Sequence, residues 1–143
     1  MKFKFTVALF VTITLLVING VQTEAEKFTV NDTDHLQQIL DSAKDNDEIT
    51  LEPGIYEGNI VINSSIKLIG KSGATVKGTT QGDVITVNAD EVTIENLQIE
   101  SGGSQNAGIH LKSNRNKIVN NRLYDVFHGI VVRDGYGNEL LDN

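Results

Sequence analysis

Short aliphatic segments alternate with polar side chains at every second position along most of the chain from residue 48 onward. A period of two is typical of a β-strand with one buried face. The segments are rich in Ile and Val, and Gly, Asn, Asp and Ser separate them, as is common between strands. We predict two strands around the turn dipeptide Pro53-Gly54, and seven more at 66–70, 74–78, 83–87, 91–99, 108–111, 116–119 and 129–132.

One segment before these strands has a helical pattern instead. Residues 32–44 place four apolar side chains on one stripe at helical spacing: Leu36, Ile39, Leu40 and Ala43. Asp32 or Thr33 is expected to cap this helix, because a short oxygen-bearing side chain accepts a hydrogen bond from a first-turn amide. We predict that the helix covers the first turn of the fold.

The aliphatic segments form an internal repeat. The central residues of four similar segments lie 26, 24 and 22 residues apart: Leu68, Ile94, Ile118 and Leu140. A leucine-rich repeat and a parallel β-helix both have periods in this range. A leucine-rich repeat returns through a helical segment, and no repeat here has a helical stripe. We therefore predict an all-β solenoid whose unit is one strand, a polar corner, a second strand and a variable loop.

The alternation assigns a direction to each side chain in the repeat. The inward columns are expected to contain Ile85 and Val87, Ile109 and Leu111, and Ile130 and Val132. Asn recurs at the corners because it tolerates left-handed backbone geometry and because stacked amides can bond between coils. We predict one corner column of Asn96, Asn120 and Asp142, and another of Asn116 and Asn138 beneath Val92.

The first 25 residues have a different composition from the rest. A basic start is followed by an almost wholly apolar run at 5–18 and then by small and polar residues up to Ala25. This pattern predicts a signal peptide at 1–25 and a β-helix domain at 26–143. The alternative is an uncleaved anchor, although a bilayer span needs about 20 apolar residues. We expect a secreted, periplasmic or cell-surface protein that meets the membrane only through this segment.

Charge and cysteine content limit the partners. The chain carries 19 acidic and 12 basic residues, and it contains no Cys. An acidic domain is poorly suited to nucleic acid, which binds basic faces, so no nucleic-acid partner is expected. Without disulfides, an exported fold must depend on packing and backbone hydrogen bonds.

The same alternation places a group of polar residues on the outer wall. His110 should point outward beside Thr86, and the next outward column should contain Lys112 and Arg133. Two cations about 4.8 Å apart repel unless an anion lies across them. We predict that an acidic sugar binds on this face, at Thr86, His110, Lys112, Arg133 and Asp134. The alternative is a solvated face on which the long cations splay apart.

No catalytic or metal site emerges from the sequence. Acidic residues are scattered over different corners, and a hydrolase would need two paired carboxylates. Copper(I) favours Cys and Met, and the only Met is Met1. His35, His110 and His128 are the only imidazoles. Copper and calcium are therefore not supported, no cofactor is predicted, and catalysis is left open with a preference for a non-enzyme.

The segment from His35 to Gly78 resembles the opening of right-handed parallel β-helix proteins of the pectate-lyase-like superfamily. The residues that carry this resemblance are Asn46, Asp47, Ile49, Leu51, Pro53, Gly54, Tyr56, Leu68 and Gly70. A later pattern is similar to the NosD-like periplasmic group, linked to maturation of the copper enzyme nitrous oxide reductase. It consists of Gly108, Ile109, Leu111, Ser113, Asn116, Ile118 and Asn121.

The resemblance implies an exported binding or maturation module whose flat sheet meets a polysaccharide or an extracytoplasmic protein. Two alternatives stay open, namely the N-terminal part of a secreted polysaccharide lyase or hydrolase, and a cell-surface scaffold. Members of the superfamily are usually far longer than the four coils expected here. The sequence is therefore expected to be truncated at its C-terminus, or else to associate end to end with a partner or with itself.

Overall fold

The computed structural model describes residues 24–32 and 35–143, in which short strands follow one another around a solenoid. The described strands are β1 Lys27–Val30, β2 Glu48–Leu51, β3 Gly54–Glu57, β4 Ile60–Ile62, β5 Lys67–Gly70, β6 Ala74–Lys77, β7 Ile85–Val87, β8 Thr93–Glu95, β9 Gln98–Glu100, β10 Ala107–Leu111, β11 Lys117–Val119, β12 Arg122–Tyr124, β13 His128–Val132 and β14 Glu139–Leu141. One helix, α1 Leu36–Ser42, interrupts them.

The strands belong to three sheets that form the sides of the solenoid. The first sheet has the order β1-β2-β5-β8-β11-β14, the second β3-β6-β9-β12 and the third β4-β7-β10-β13. All the strand pairs are parallel. Strands β2 to β13 make four complete coils with one strand in each sheet. The prediction of a parallel β-helix with a short helix near its N-terminus is confirmed.

The prediction of two strands per coil is wrong, because each complete coil has three. The segment 91–99, predicted as one strand, is divided between β8 and β9. Asn96 lies between them with φ 60°, and this left-handed residue turns the chain from the first sheet into the second. Asn120 makes the same turn between β11 and β12 with φ 54°, and Asp142, which follows β14, is left-handed as well with φ 53°. The corner column predicted at these three positions is therefore present.

The inward columns follow the predicted register. Leu68, Ile94 and Ile118 lie opposite one another on β5, β8 and β11, and none of them is exposed. In the third sheet, Ile85 lies opposite Ile109, which lies opposite Ile130. Val132 also occupies an inward position by this alternation, but it is 42% exposed. Its strand, β13, has a neighbour on one side only among the described strands.

Asn side chains form two ladders that link successive coils. The predicted ladder is present, since the side-chain oxygen of Asn116 accepts the backbone N–H of Val92 at 2.9 Å and that of Asn138 accepts the N–H of Asn116 at 2.8 Å. A second ladder was not predicted. In it, Asn121 accepts the N–H of Leu97 at 3.0 Å and its own N–H donates to the Asn143 side chain. Asn116 and Asn121 are buried, so these bonds are shielded from water.

The helix is shorter than predicted and has no side-chain cap. It begins after His35, whose φ of −79° and ψ of 87° are not helical and whose side chain makes no capping hydrogen bond. The expected cap at Asp32 is wrong, because Asp32 lies four residues before the first helical residue; Thr33 lies outside the described residues. The helix still covers the first coil, because the Gln37 side-chain amide bonds both the N–H and the carbonyl of Val61 on β4.

The predicted signal peptide falls almost wholly on residues 1–23, which lie outside the described residues. Within 24–32 and 35–143, no helix has the length and the apolar composition needed to span a bilayer.

Candidate functional site

Strand pairing in the third sheet aligns the side chains of the predicted outer face. His110 on β10 lies opposite Thr86 on β7 and opposite Val131 on β13. The register continues past the strand ends, because the N–H of Lys112 donates to the carbonyl of Val87 and the N–H of Arg133 to that of Leu111, both at 2.9 Å. Lys112 and Arg133 therefore follow one another in adjacent coils, as the alternation predicted.

The prediction that His110 lies open to solvent on the outer face is wrong. Only 9% of the residue is exposed. Its Nδ1 lies 2.7 Å from Oδ2 of Asp83, a residue in the turn before β7. The other carboxylate oxygen of Asp83 accepts the backbone N–H of Ala107 at 2.7 Å. The carboxylate thus bridges two coils and fixes the imidazole against the outer side of the sheet.

The Asp83 carboxylate is ionised at neutral pH. Burial raises the pKa of Asp83, but hydrogen bonds from the Ala107 N–H, His110 and Asn106 together outweigh that effect and hold this pKa below its ordinary value. An ionised carboxylate only accepts hydrogen bonds, so we assign a proton to Nδ1 of His110, which donates to Asp83. The other ring nitrogen, Nε2, is buried without a hydrogen-bond partner.

A groove of about 300 Å³ lies over this pair. It is lined by Asp83, Gln105, Asn106, Ala107, His110, His128, Val131 and Arg133. Its volume is at the lower limit of small-molecule sites, which span about 300–1,000 Å³. The groove contains two imidazoles and one guanidinium, those of His110, His128 and Arg133, and Lys112 adjoins it through its register with Arg133.

Lys112 and Arg133 are exposed neighbours without acidic partners. Neither makes an ion pair with any residue in 24–32 or 35–143, whereas Lys27, Lys71, Lys77 and Arg115 each bond a carboxylate. Asp134, the fifth predicted residue, is exposed in a left-handed conformation with φ 61° and pairs with neither cation. The structure thus brings four predicted residues to one face and leaves Asp134 at its edge.

Three larger grooves on the described part of the solenoid lack a pair of adjacent unpaired cations; the one of about 510 Å³ lies at the last described coil, where Leu123, Ile130 and Leu140 line it. One of about 420 Å³ lies between the helix and β3, and Asp32, His35 and Glu57 are among the residues that line it. Another of about 670 Å³ runs along the Asn96 and Asn120 corner. The groove along the Asn96 and Asn120 corner is lined mainly by amide side chains and glycines. The hydrogen bonds between coils account for the presence of these amides. We therefore place the candidate site on the third sheet. The side chains that line its groove decide this choice, and the volume of the groove does not.

Sequence reasoning missed Asp83, which it counted among the scattered acids. A signal was present, because Asp83 lies 24 residues before Ala107, close to the length of one coil. Residues one coil apart lie next to each other in a β-helix, so the acid could have been placed beside the segment that leads into β10.

Metal ligands do not gather at this site. Residues 24–32 and 35–143 hold no cluster of three or more His, Asp or Glu side chains that could bind a metal ion. His128 lines the groove, but its ring packs edge-on against Phe127 at 4.7 Å between centroids. The absence of a bound metal or cofactor stays a prediction.

No family model, no curated protein and no solved structure matches this chain significantly. The parallel β-helix is therefore established by the strand pairing alone. The resemblance to NosD-like repeats stays a prediction.

The low pKa of Asp83 predicts how its contribution to stability depends on pH. Its pKa in the folded protein lies below the value of about 3.9 expected in the unfolded chain, so the stabilisation is present above that value and is lost as the pH falls through the folded-state pKa. We expect Asp83→Asn to lower the free energy of unfolding at pH 7 and to approach wild type below about pH 4. Urea unfolding at several pH values measures this. A constant difference across that range would contradict it, and the exposed Asp134→Asn variant is the control.

Proposed function

We propose that this protein is an exported, non-catalytic module that binds an acidic polysaccharide on the outer face of its third sheet. The observation that carries the proposal is the pair of adjacent, unneutralised cations, Lys112 and Arg133, beside the Asp83–His110 groove. The resemblance of residues 108–121 to NosD-like repeats supports an extracytoplasmic place for such a module. A protein partner with an acidic surface would satisfy the same charges, but the repeating spacing of the face favours a repeating ligand.

The charge distribution explains why an acidic polymer would bind here. The chain has a net charge of −7, so most of its surface repels a polyanion. Equivalent backbone positions in adjacent coils lie about 4.8 Å apart, and two unit charges held at that separation would repel by about 1 kcal/mol in water. An anion bound across Lys112 and Arg133 replaces this repulsion with attraction. Thr86 and the rim of the groove supply polar groups for the sugar hydroxyls.

A double substitution tests the proposal. We expect Lys112→Ala with Arg133→Ala to weaken binding of polygalacturonate at least about tenfold, because both charge-assisted contacts are lost. The matched control is Lys67→Ala with Lys117→Ala, which removes the same charge from the outer face of the first sheet, where Thr93 separates the two lysines. Titration calorimetry at low and moderate salt gives the affinities.

The control variant should bind within about twofold of wild type, and wild-type affinity should fall as salt rises. Equal losses in the two variants would show that binding depends on total charge rather than on this face. No measurable binding by the wild-type protein would refute the proposal itself.

A polysaccharide lyase or hydrolase is the second candidate, and one observation favours it. A carboxylate that orients an imidazole, as Asp83 orients His110, is an arrangement found in general bases. The described residues bring no second carboxylate to the groove. Release of new sugar chain ends from polygalacturonate or alginate by wild type, and its loss in His110→Gln, would establish this candidate in place of simple binding.

A further inference from the structure

We propose that Asn63 is an attachment site for an N-linked glycan in the exported protein. Residues 63–65 read Asn-Ser-Ser, which is the Asn-x-Ser/Thr triplet that oligosaccharyltransferases modify in exported chains. The inference rests on the export that is part of the proposed function, and it does not depend on polysaccharide binding. A second triplet of this kind, Asn31-Asp32-Thr33, ends at a residue outside the described part of the chain.

The triplet lies at the corner between β4 and β5, where the chain leaves the third sheet. Ile62 before it points into the core and is 1% exposed, so Asn63 takes the outward direction by alternation and is exposed. Ser64 and Ser65 follow it outside any strand, and neither of them is buried. The triplet thus lies on the surface in a segment without strand pairing, where a bulky glycan can be attached.

The acceptor nitrogen of Asn63 makes no hydrogen bond within the described residues. The side-chain oxygen of Asn63 accepts from Nδ2 of Asn88 at 2.9 Å, and Nδ2 of Asn63 lies on the other side of the amide. Most asparagines in 24–32 and 35–143 instead donate from Nδ2 to a neighbouring group, as Asn59 and Asn120 do. A glycan occupies this nitrogen permanently, so the folded protein accepts it only where the nitrogen is exposed and unengaged.

The hydroxyl of the third residue, which the transferase recognises, is also uncommitted. The Ser65 side chain makes no hydrogen bond with any described residue, whereas the Ser64 hydroxyl donates to the carbonyl of Ala43 at 2.9 Å. The backbone N–H of Ser65 donates to the Asp45 side chain. The corner is therefore held by groups that glycosylation does not use, and it can carry a glycan with these contacts intact.

The reaction balances with a lipid-linked oligosaccharide as the donor. Nδ2 of Asn63 forms a bond to the anomeric carbon of the first sugar, and the bond from that carbon to the lipid phosphate or diphosphate breaks. The lipid phosphate or diphosphate leaves with the electron pair, and one amide proton passes to a base of the transferase. The side-chain oxygen of Asn63 stays free to accept from Asn88.

The strand register places this glycan on the same outer face as the proposed binding site. The N–H of Asn88 donates to the carbonyl of Ile62, and the N–H of Lys112 repeats this bond one coil later, both at 2.9 Å. Asn63 therefore begins the outer column that continues through Asn88 to Lys112. A glycan at Asn63 projects from this column two coils nearer the helix than Lys112.

Peptide mass mapping of the protein from the extracytoplasmic fraction of its own host tests the proposal. Trypsin releases residues 45–67 as one peptide, and the triplet at 63–65 is the only one within it. We expect this peptide to be heavier by the mass of a glycan, and fragmentation should localise that mass to Asn63 rather than to Asn46 or Asn59. Asn63→Gln and Ser65→Ala should each abolish the added mass.

Two further variants serve as controls. Ser64→Ala removes a hydroxyl from the middle position of the triplet, and Ser65→Thr keeps a hydroxyl at the third, so both should retain the glycan. Circular dichroism should be the same for all four variants, because none of the three side chains is buried. An unmodified 45–67 peptide in the exported protein, or an added mass that survives Ser65→Ala, would overturn the inference.

The failures of the two proposals can be told apart. If the protein stays in the cytoplasm, the proposed export is wrong and the glycan is ruled out with it. If the exported protein carries the glycan but binds no polygalacturonate, the binding function is wrong and the assignment of Asn63 stands.

Discussion

Replacing Leu68 with Ala is expected to lower the free energy of unfolding by about 3 kcal/mol, within the range measured for buried Leu. Leu68 has no exposed surface and lies between Ile49 and Ile94 in the inward column of the first sheet. Removing its side chain leaves a cavity that the neighbouring coils cannot fill, since their strands are fixed by backbone pairing. Urea unfolding followed by circular dichroism measures the loss.

The adjacent residue provides the control. Ile69 on the same strand points outward and lies opposite Thr50 and Glu95. It is partly exposed, so Ile69→Ala should cost about 1 kcal/mol or less. Equal losses at the two positions would contradict the assigned directions of the side chains, and with them the face on which the candidate site lies.

Replacing Asn116 with Ala is also expected to cost about 3 kcal/mol, although it removes no apolar packing. Asn116 has no exposed surface, its oxygen accepts the Val92 N–H, and its amide donates to Ser113 Oγ and to the Asn138 side chain. The substitution leaves a buried N–H without a partner, and such a group loses its hydration on folding without replacement. Thermal and urea unfolding both report the change.

Asn88 is the matched control for this substitution. Its amide donates to the Asn63 side chain at 2.9 Å, so it also links two coils, but it is exposed. Water replaces the lost bond in Asn88→Ala, and the change should stay within about 0.5 kcal/mol. A large loss at Asn88 would show that amide stacking stabilises the solenoid whether or not it is buried.

The sequence predicted the register of the solenoid because alternation is a strong constraint. A shift of one residue would turn every Ile and Val of a strand toward water. The column of Leu68, Ile94 and Ile118 therefore followed from spacing alone. The third strand of each coil was missed because its corner is a single residue. The inward positions change from Ile94 to Leu97, three residues apart, and this break in parity marks the corner at Asn96.

The candidate site was only partly predictable for a related reason. Alternation gives the direction of a side chain on a strand, and it placed Thr86, His110, Lys112 and Arg133 on one face. It does not describe the turns between strands. Asp83 lies in such a turn, and its bonds to Ala107 and His110 bury an imidazole that alternation alone predicts to be open to water.

In the described part of the chain, each strand pairs only with its equivalents in adjacent coils, so strand pairing makes no tie across several coils at once. Cohesion is divided into a series of separate interfaces, each between two successive turns of the chain. A polymer bound to both Lys112 on the third complete coil and Arg133 on the fourth would link these two coils from outside and so stabilise the interface between them. Occupancy of the groove would therefore stiffen the molecule locally, at the junction between those two turns, and leave the turns nearer the helix unaffected.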